Sequence, residues 1–198
     1  MRPILFTILF ACTIPAFAQQ DFEKRLGEAR TAFTANKLDD ARFAMQQMMQ
    51  ELDILTGKDV LKLLPEKMDV KAANTAKDNV SGASGWAGVV VHREYGLPAD
   101  TAIYTLEVIT NSPLLGMVNQ ILSMPMLAGS NPDQKIIRIG GYKALSNRST
   151  GAYGRDEYEI QIPLQSSMIT FKAPGMAQDK VIEMANTIKV AEIAKLVQ

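Results

Sequence analysis

The chain is short of several things, and each shortage removes a class of function. It has one cysteine, Cys12, and one histidine, His92, so neither a Cys/His zinc site nor a disulfide framework can be built. It has no excess of either charge, with 21 basic and 21 acidic residues. Nucleic-acid binders need a basic face to displace counterions from phosphates, and a neutral chain lacks it. Electrostatic adhesion to a membrane is disfavoured for the same reason. No Gly-x-Ser-x-Gly elbow is present. The glycines at 82–88 and 140–141 are not followed by the Gly-Lys-Ser/Thr of a phosphate loop. Beyond the first eighteen residues no apolar run is long enough to span a bilayer.

What is present is an ordinary globular composition, 47% hydrophobic and 21% charged over 198 residues. That excludes disordered and fibrous classes and suggests one domain, or one with a small extension. The start of the chain reads as an address. Met1-Arg2 is a short positive region, Pro3 to Phe10 is apolar, and Ala16-Phe17-Ala18 supplies small residues before a cut between Ala18 and Gln19. The expected product is an exported protein of the periplasm or exterior, not membrane-spanning once the signal is gone. Leu9-Phe10-Ala11-Cys12 loosely matches a lipoprotein box, so the alternative is a membrane anchor through Cys12. With Cys12 removed, the exported chain has no thiol to mispair in an oxidising compartment.

Periodicity predicts an α+β fold: an N-terminal αα-hairpin over 19–65, then an antiparallel sheet of about six strands covered by helices over 89–198. Phe22, Leu26, Ala29 and Phe33 form one helical stripe. Ala41, Met45, Met48, Leu52 and Leu55 form a second, which Thr56-Gly57 should interrupt. Polar residues and glycines over 66–88 read as a linker or mobile loop, closed by Trp86 as an anchor. From residue 89 the period becomes two, with Val89 to Tyr95 and Ala102 to Thr110 as a hairpin. Ser112 should cap a helix entered through Pro113, with Leu114, Met117, Val118, Ile121 and Leu122 on one face. Gly140-Gly141 should turn between two strands, followed by a polar loop over 146–154. In the next strand Tyr158, Ile160 and Ile162 should face inward, and Glu157, Glu159 and Gln161 outward. The helices should cover one face of the sheet.

Several pieces in order, Leu63-Leu64-Pro65, Asn111-Ser112-Pro113-Leu114-Leu115-Gly116, Met124-Pro125-Met126-Leu127-Ala128-Gly129 and Ile137-Arg138-Ile139-Gly140-Gly141-Tyr142, carry a resemblance. From Leu63 onward the chain resembles an uncharacterised family of exported bacterial proteins. Members carry Gly-Trp soon after Leu-Leu-Pro, whereas here the tryptophan waits until Trp86. The resemblance implies export and architecture and assigns no catalytic residue or cofactor. The element order is also similar to the α/β sandwich of the PsbP/Mog1-type fold, a scaffold that hosts binding and assembly roles.

Three groups of residues could carry chemistry. His92 and Glu94 should share a strand face, as a general base with its orienting carboxylate or as half a metal site. The plainer reading is a solvated strand face. Asp156, Glu157 and Glu159 could hold Ca²⁺ or flank a glycosidic bond, or simply charge a sheet edge. The methionines, including Met45, Met48, Met49, Met124 and Met126, could bind Cu(I) through soft thioethers, or fill core gaps. With no assembled nucleophile, base and orienting group, the expectation is a non-enzymatic binding or scaffolding protein of the envelope, needing no cofactor. The alternatives are a carrier of an apolar molecule or lipid, and copper binding through methionine. Its partner would be an envelope protein or an apolar ligand, not nucleic acid.

Overall fold

The structure is a computed structural model describing residues 16–82, 88–100, 102–124, 131–151 and 154–197, with side chains from residue 22. The lipid-box Cys12, Trp86, Pro125 and Met126 lie outside these residues. The chain divides into two compact units between Glu51 and Leu52.

The first unit is the expected helical hairpin. Helix α1 (Ala16–Thr34) ends where Asn36 takes a left-handed φ of 58°, which asparagine tolerates better than most residues. Helix α2 (Leu38–Leu63) starts at once, with Asp39 and Asp40 in its first turn against the helix dipole. Ala29, Ala41 and Ala44 are buried, so small side chains make this unit's buried positions. The proposed cut at Ala18–Gln19 falls in the first turn of α1.

Helix α2 is not interrupted at Thr56-Gly57, contrary to the sequence expectation. A Cβ on Gly57 would lie 2.7 Å from Val80 and 2.8 Å from Val89. The glycine is there because the helix backbone seats closely on the sheet, and packing overrides its poor helix propensity. The last turns of α2 therefore belong to the second unit, with Val60 wholly buried in its core.

The segment read as a linker is also structured. It contains a small hairpin of β1 (Lys67–Met68) and β2 (Lys71–Ala72), a 3₁₀ turn at Thr75–Lys77, and strand β3 (Asn79–Gly82). Met68 is fully buried. Short polar strands at a sheet edge carry little periodic signal, which is why composition alone suggests a loop.

Strand β3 opens a seven-stranded antiparallel sheet with β4 (Val89–Tyr95), β5 (Tyr104–Thr110), β6 (Gln134–Ile139), β7 (Tyr142–Thr150), β8 (Asp156–Pro163) and β9 (Ser167–Pro174). The spatial order is β3-β4-β5-β9-β8-β7-β6. Gly140 and Gly141, with φ of 55° and 88°, make the two-residue turn between β6 and β7. Strand β7 runs on to Thr150, so the expected polar loop over 146–154 is mostly ladder, paired with β8 from Leu145↔Gln161 to Thr150↔Asp156. Its outer end is polar because it is exposed, not because it turns.

Helices cover both faces of the sheet rather than one. On one face Leu106, Val108, Phe171, Ile169, Ile160 and Ile162 form the main core with Val60 of α2, with Val181 and Met184 of helix α4 (Gln178–Ala185), and with Val190 and Ile193 of α5 (Val190–Leu196). On the other, helix α3 (Leu115–Ser123) seats Val118 and Leu122 on Leu145 and Met168. Helix α3 begins later than expected. Its first residue follows a turn at Pro113-Leu114, and Ser112 accepts only a long bond, 3.4 Å, from the Leu114 N–H rather than capping the helix. Among the described residues no helix is long and apolar enough to cross a membrane.

Candidate functional site

Strand alternation fills the second sheet face, away from α3, with polar side chains. The register sets Asn79, His92, Glu107, Thr170 and Gln161 in one row across five strands. The next row is Glu94, Thr105, Lys172, Glu159 and Asn147. All of these point to one side, because residues two apart on a strand share a face.

The geometry is specific. His92 Nδ1 lies 2.9 Å from Glu107 Oε1, and His92 Nε2 lies 3.5 Å from Glu94 Oε1. Lys172 Nζ pairs with Glu159 Oε2 at 2.9 Å. Gln161 donates to Glu159, and Asn147 donates to Gln161 at 3.2 Å. The Asn147 side-chain oxygen Oδ1 is buried without a partner among the described residues. The Glu159 hydrogen bond holds the Lys172 ammonium above the ordinary lysine range; partial burial opposes this, and the fields of Glu159, Glu157 and Glu107 add to it. These groups are half-buried, held in place yet still in contact with solvent.

The structure bears out the shared face of His92 and Glu94 and adds Glu107. Only the β4–β5 register reveals Glu107, since it lies fifteen residues away in sequence. The acidic cluster is divided. Glu157 and Glu159 face this array, while Asp156, one position out of phase, forms a forked pair with Arg148. Gln161, expected outward and solvated, is buried and bridges Asn147 and Glu159. The methionines scatter. Met68, Met168 and Met184 fill core, while Met45, Met49 and Met124 are exposed and Met48 is half-buried, so Met45 does not serve packing as its stripe suggested. Among the described residues no three His, Cys, Asp or Glu side chains are placed to hold a metal ion.

A proton-transfer site needs a nitrogen aimed at the reacting group. Here both ring nitrogens of His92 face carboxylates. The array is thus a fixed acidic surface, with Glu94, Glu107, Glu157 and Glu159 outnumbering Lys172.

A second concavity, a groove of about 600 Å³, lies between the β1–β2 hairpin and the loop after β4. Its walls include Val70, Lys71, Asn74, Thr75, Leu97 and Asp100. Lys71 and Asp100 pair across it at 2.5 Å. That bond and the Leu97 N–H hold the Asp100 carboxyl below its usual range. A wall occupied by its own ion pair offers no free charge to a ligand.

Under the edge of the sheet, Arg93 is buried and forks onto Asp78 at 2.9 and 2.6 Å, while also donating to the Leu64 carbonyl at 3.0 Å. Beside it the Tyr95 hydroxyl is buried with no hydrogen-bond partner among the described residues. Burial pushes its pKa well above the ordinary tyrosine value, and the Arg93 charge only partly offsets this. Tyr95→Phe should therefore cost nothing, or stabilise by up to about 1 kcal/mol, since no bond is lost. The pH dependence has a fixed sign. Above pH of about 10 the unfolded chain ionises this tyrosine while the folded chain keeps it neutral, so stability falls as pH rises. Urea titrations at pH 8 and 11 should show that alkaline loss shrinking in the variant; an unchanged loss would place the ionisation elsewhere.

No family model, curated protein or solved structure matches this chain.

Proposed function

We propose that this is an exported, non-enzymatic binding or scaffolding protein of the bacterial envelope, and that the open sheet face holds a basic segment of its partner. The observation that carries the reading is the array itself: Glu94, Glu107, Glu157 and Glu159 held on one face of strands β4, β5 and β8, with His92 Nδ1 bonded to Glu107 and Nε2 3.5 Å from Glu94. A rigid acidic face whose imidazole is flanked by carboxylates suits cation recognition better than proton transfer. Export is supported by the signal pattern ending at Ala18 and by the resemblance from Leu63 onward.

The test is a photo-crosslinking residue at Thr105, introduced into the protein in its native cell. A discrete adduct should form on a chain whose N-terminus is Gln19, and Glu107→Lys should abolish it by charge reversal. Turnover of an ester, peptide, glycoside or phosphoester that disappears in His92→Ala would overturn the reading. An intact Met1, or a lipid on Cys12, would overturn free release into the periplasm. A second reading, a carrier of an apolar molecule, draws on Leu114, Met117 and Met124, which stay exposed on and beside α3. An adduct that forms from Met117 and not from Thr105 would favour it.

A further inference from the structure

The two contacts of the His92 ring are unequal. Nδ1 is 2.9 Å from Glu107 Oε1, a full hydrogen bond, whereas Nε2 is 3.5 Å from Glu94 Oε1. A neutral imidazole carries one N–H, and a carboxylate can only accept. The shorter contact therefore takes the proton, and the neutral ring donates from Nδ1 to Glu107. Its bare Nε2 then faces Glu94 with a lone pair and gives that carboxylate no counter-charge. Adding a proton at Nε2 turns the same atom into a donor aimed at Glu94. The side chain is 24% exposed, enough to exchange that proton with solvent.

We propose, resting on the reading of this face given above, that His92 regulates it. The Nε2 proton and the partner's cation are alternatives at Glu94. The face holds its basic partner while the ring is neutral and lets it go when the ring is charged. The groups around the ring support this. On its own strand it meets Glu94, and on β5 it meets Glu107. On β3 Asn79 stands opposite it, and on β9 Thr170 is next in the row, neither of them charged. One row on, Lys172 is tied to Glu159 and keeps its charge across this range. Four carboxylates against Lys172 leave the array at a net charge of −3, and a proton on His92 makes it −2. Histidine is the side chain that ordinarily changes charge between about pH 5 and pH 8. The sign follows: affinity for a cationic segment rises with pH through the histidine's titration. By linkage, binding the segment expels the Nε2 proton to solvent. His92 is the chain's only histidine, so no second imidazole confuses the result.

The experiment is calorimetric binding of a blocked octapeptide of alternating lysine and serine to the full exported chain at low salt. Affinity should fall about tenfold from about pH 8 to about pH 5.5, the effect of one charge placed beside the bound cation. In His92→Gln the fall should be less than about threefold. Glu94→Gln should weaken binding at about pH 8 and change it little at about pH 5.5, where the imidazolium already holds Glu94. At about pH 6.5 the wild type should release protons on binding, read as a heat that changes with the ionisation enthalpy of the buffer. That measurement needs no variant to fold. Equal affinity at both pH values, absence of proton release, or a pH dependence that persists in His92→Gln overturns the inference and leaves the acidic face standing. Absence of wild-type binding at about 1 mM peptide and about pH 8 overturns the reading of the face, and this inference with it.

Discussion

Asp78→Ala should lower the stability of the sheet unit by about 3–5 kcal/mol, the usual effect of stranding one member of a buried ion pair. Asp78 meets the Arg93 guanidinium through both oxygens, at 2.9 and 2.6 Å, and Arg93 is only 7% exposed. With Asp78 gone, the guanidinium keeps only the carbonyls of Leu64 and Pro65. The pair joins three pieces: the chain leaving α2, the segment before β3, and β4. Arg93→Lys should also be costly, because an ammonium cannot fork onto a carboxylate and still reach a carbonyl. The pairwise replacement Asp78→Leu/Arg93→Met should recover most of the loss, since it leaves no unpaired charge. Urea unfolding of the three variants checks this. A loss under 1 kcal/mol for Asp78→Ala would show that Arg93 finds solvent instead.

Gly57→Leu should cost about 3 kcal/mol, and Gly57→Ala about 1–2 kcal/mol, although either residue is a better helix former than glycine by about 1 kcal/mol. The reason is the sheet beneath the helix. A Cβ would meet methyl groups of Val80 and Val89 at 2.7 and 2.8 Å, with Val91 next at 3.3 Å. Neither valine has a flexible arm to swing away. Gly27 supplies the control, because no atom lies within 4 Å of its added Cβ. Gly27→Ala should stabilise by roughly the propensity difference. Thermal melts of the alanine variants should therefore move in opposite directions, and a Gly57→Ala chain that melts higher than wild type would show that the helix can lift off the sheet.

The two glycines illustrate what can be read without coordinates. The stripe from Phe22 to Phe33 reads straight through Gly27, whereas Thr56-Gly57 reads as an interruption. The helix runs through it because Val80 and Val89, more than twenty residues away, need the space. Stripes, alternation and turn residues were legible because they are local. The period of Phe22 to Phe33, the alternation of Tyr158 to Ile162 and the Gly140-Gly141 turn each depend on neighbours within a few residues, where backbone geometry dictates which side chains share a face.

The edge strand over Asn79–Gly82 was not legible. Its four residues are mostly polar, and what makes them a strand is the backbone of β4 waiting beside them. The candidate site was half legible. His92 and Glu94 share a face by spacing alone, but Glu107, Lys172 and Glu159 join them only through the pairing of β4, β5, β9 and β8. Composition, the signal pattern and local periodicity thus established the α+β class, the helical hairpin and the expectation of export. The tertiary structure decided which polar residues meet, which glycine is obligatory, and that helices cover both sheet faces. Those outcomes rest on contacts between residues far apart in the chain, where only the closing of the sheet and the packing of helices onto it bring the partners within reach.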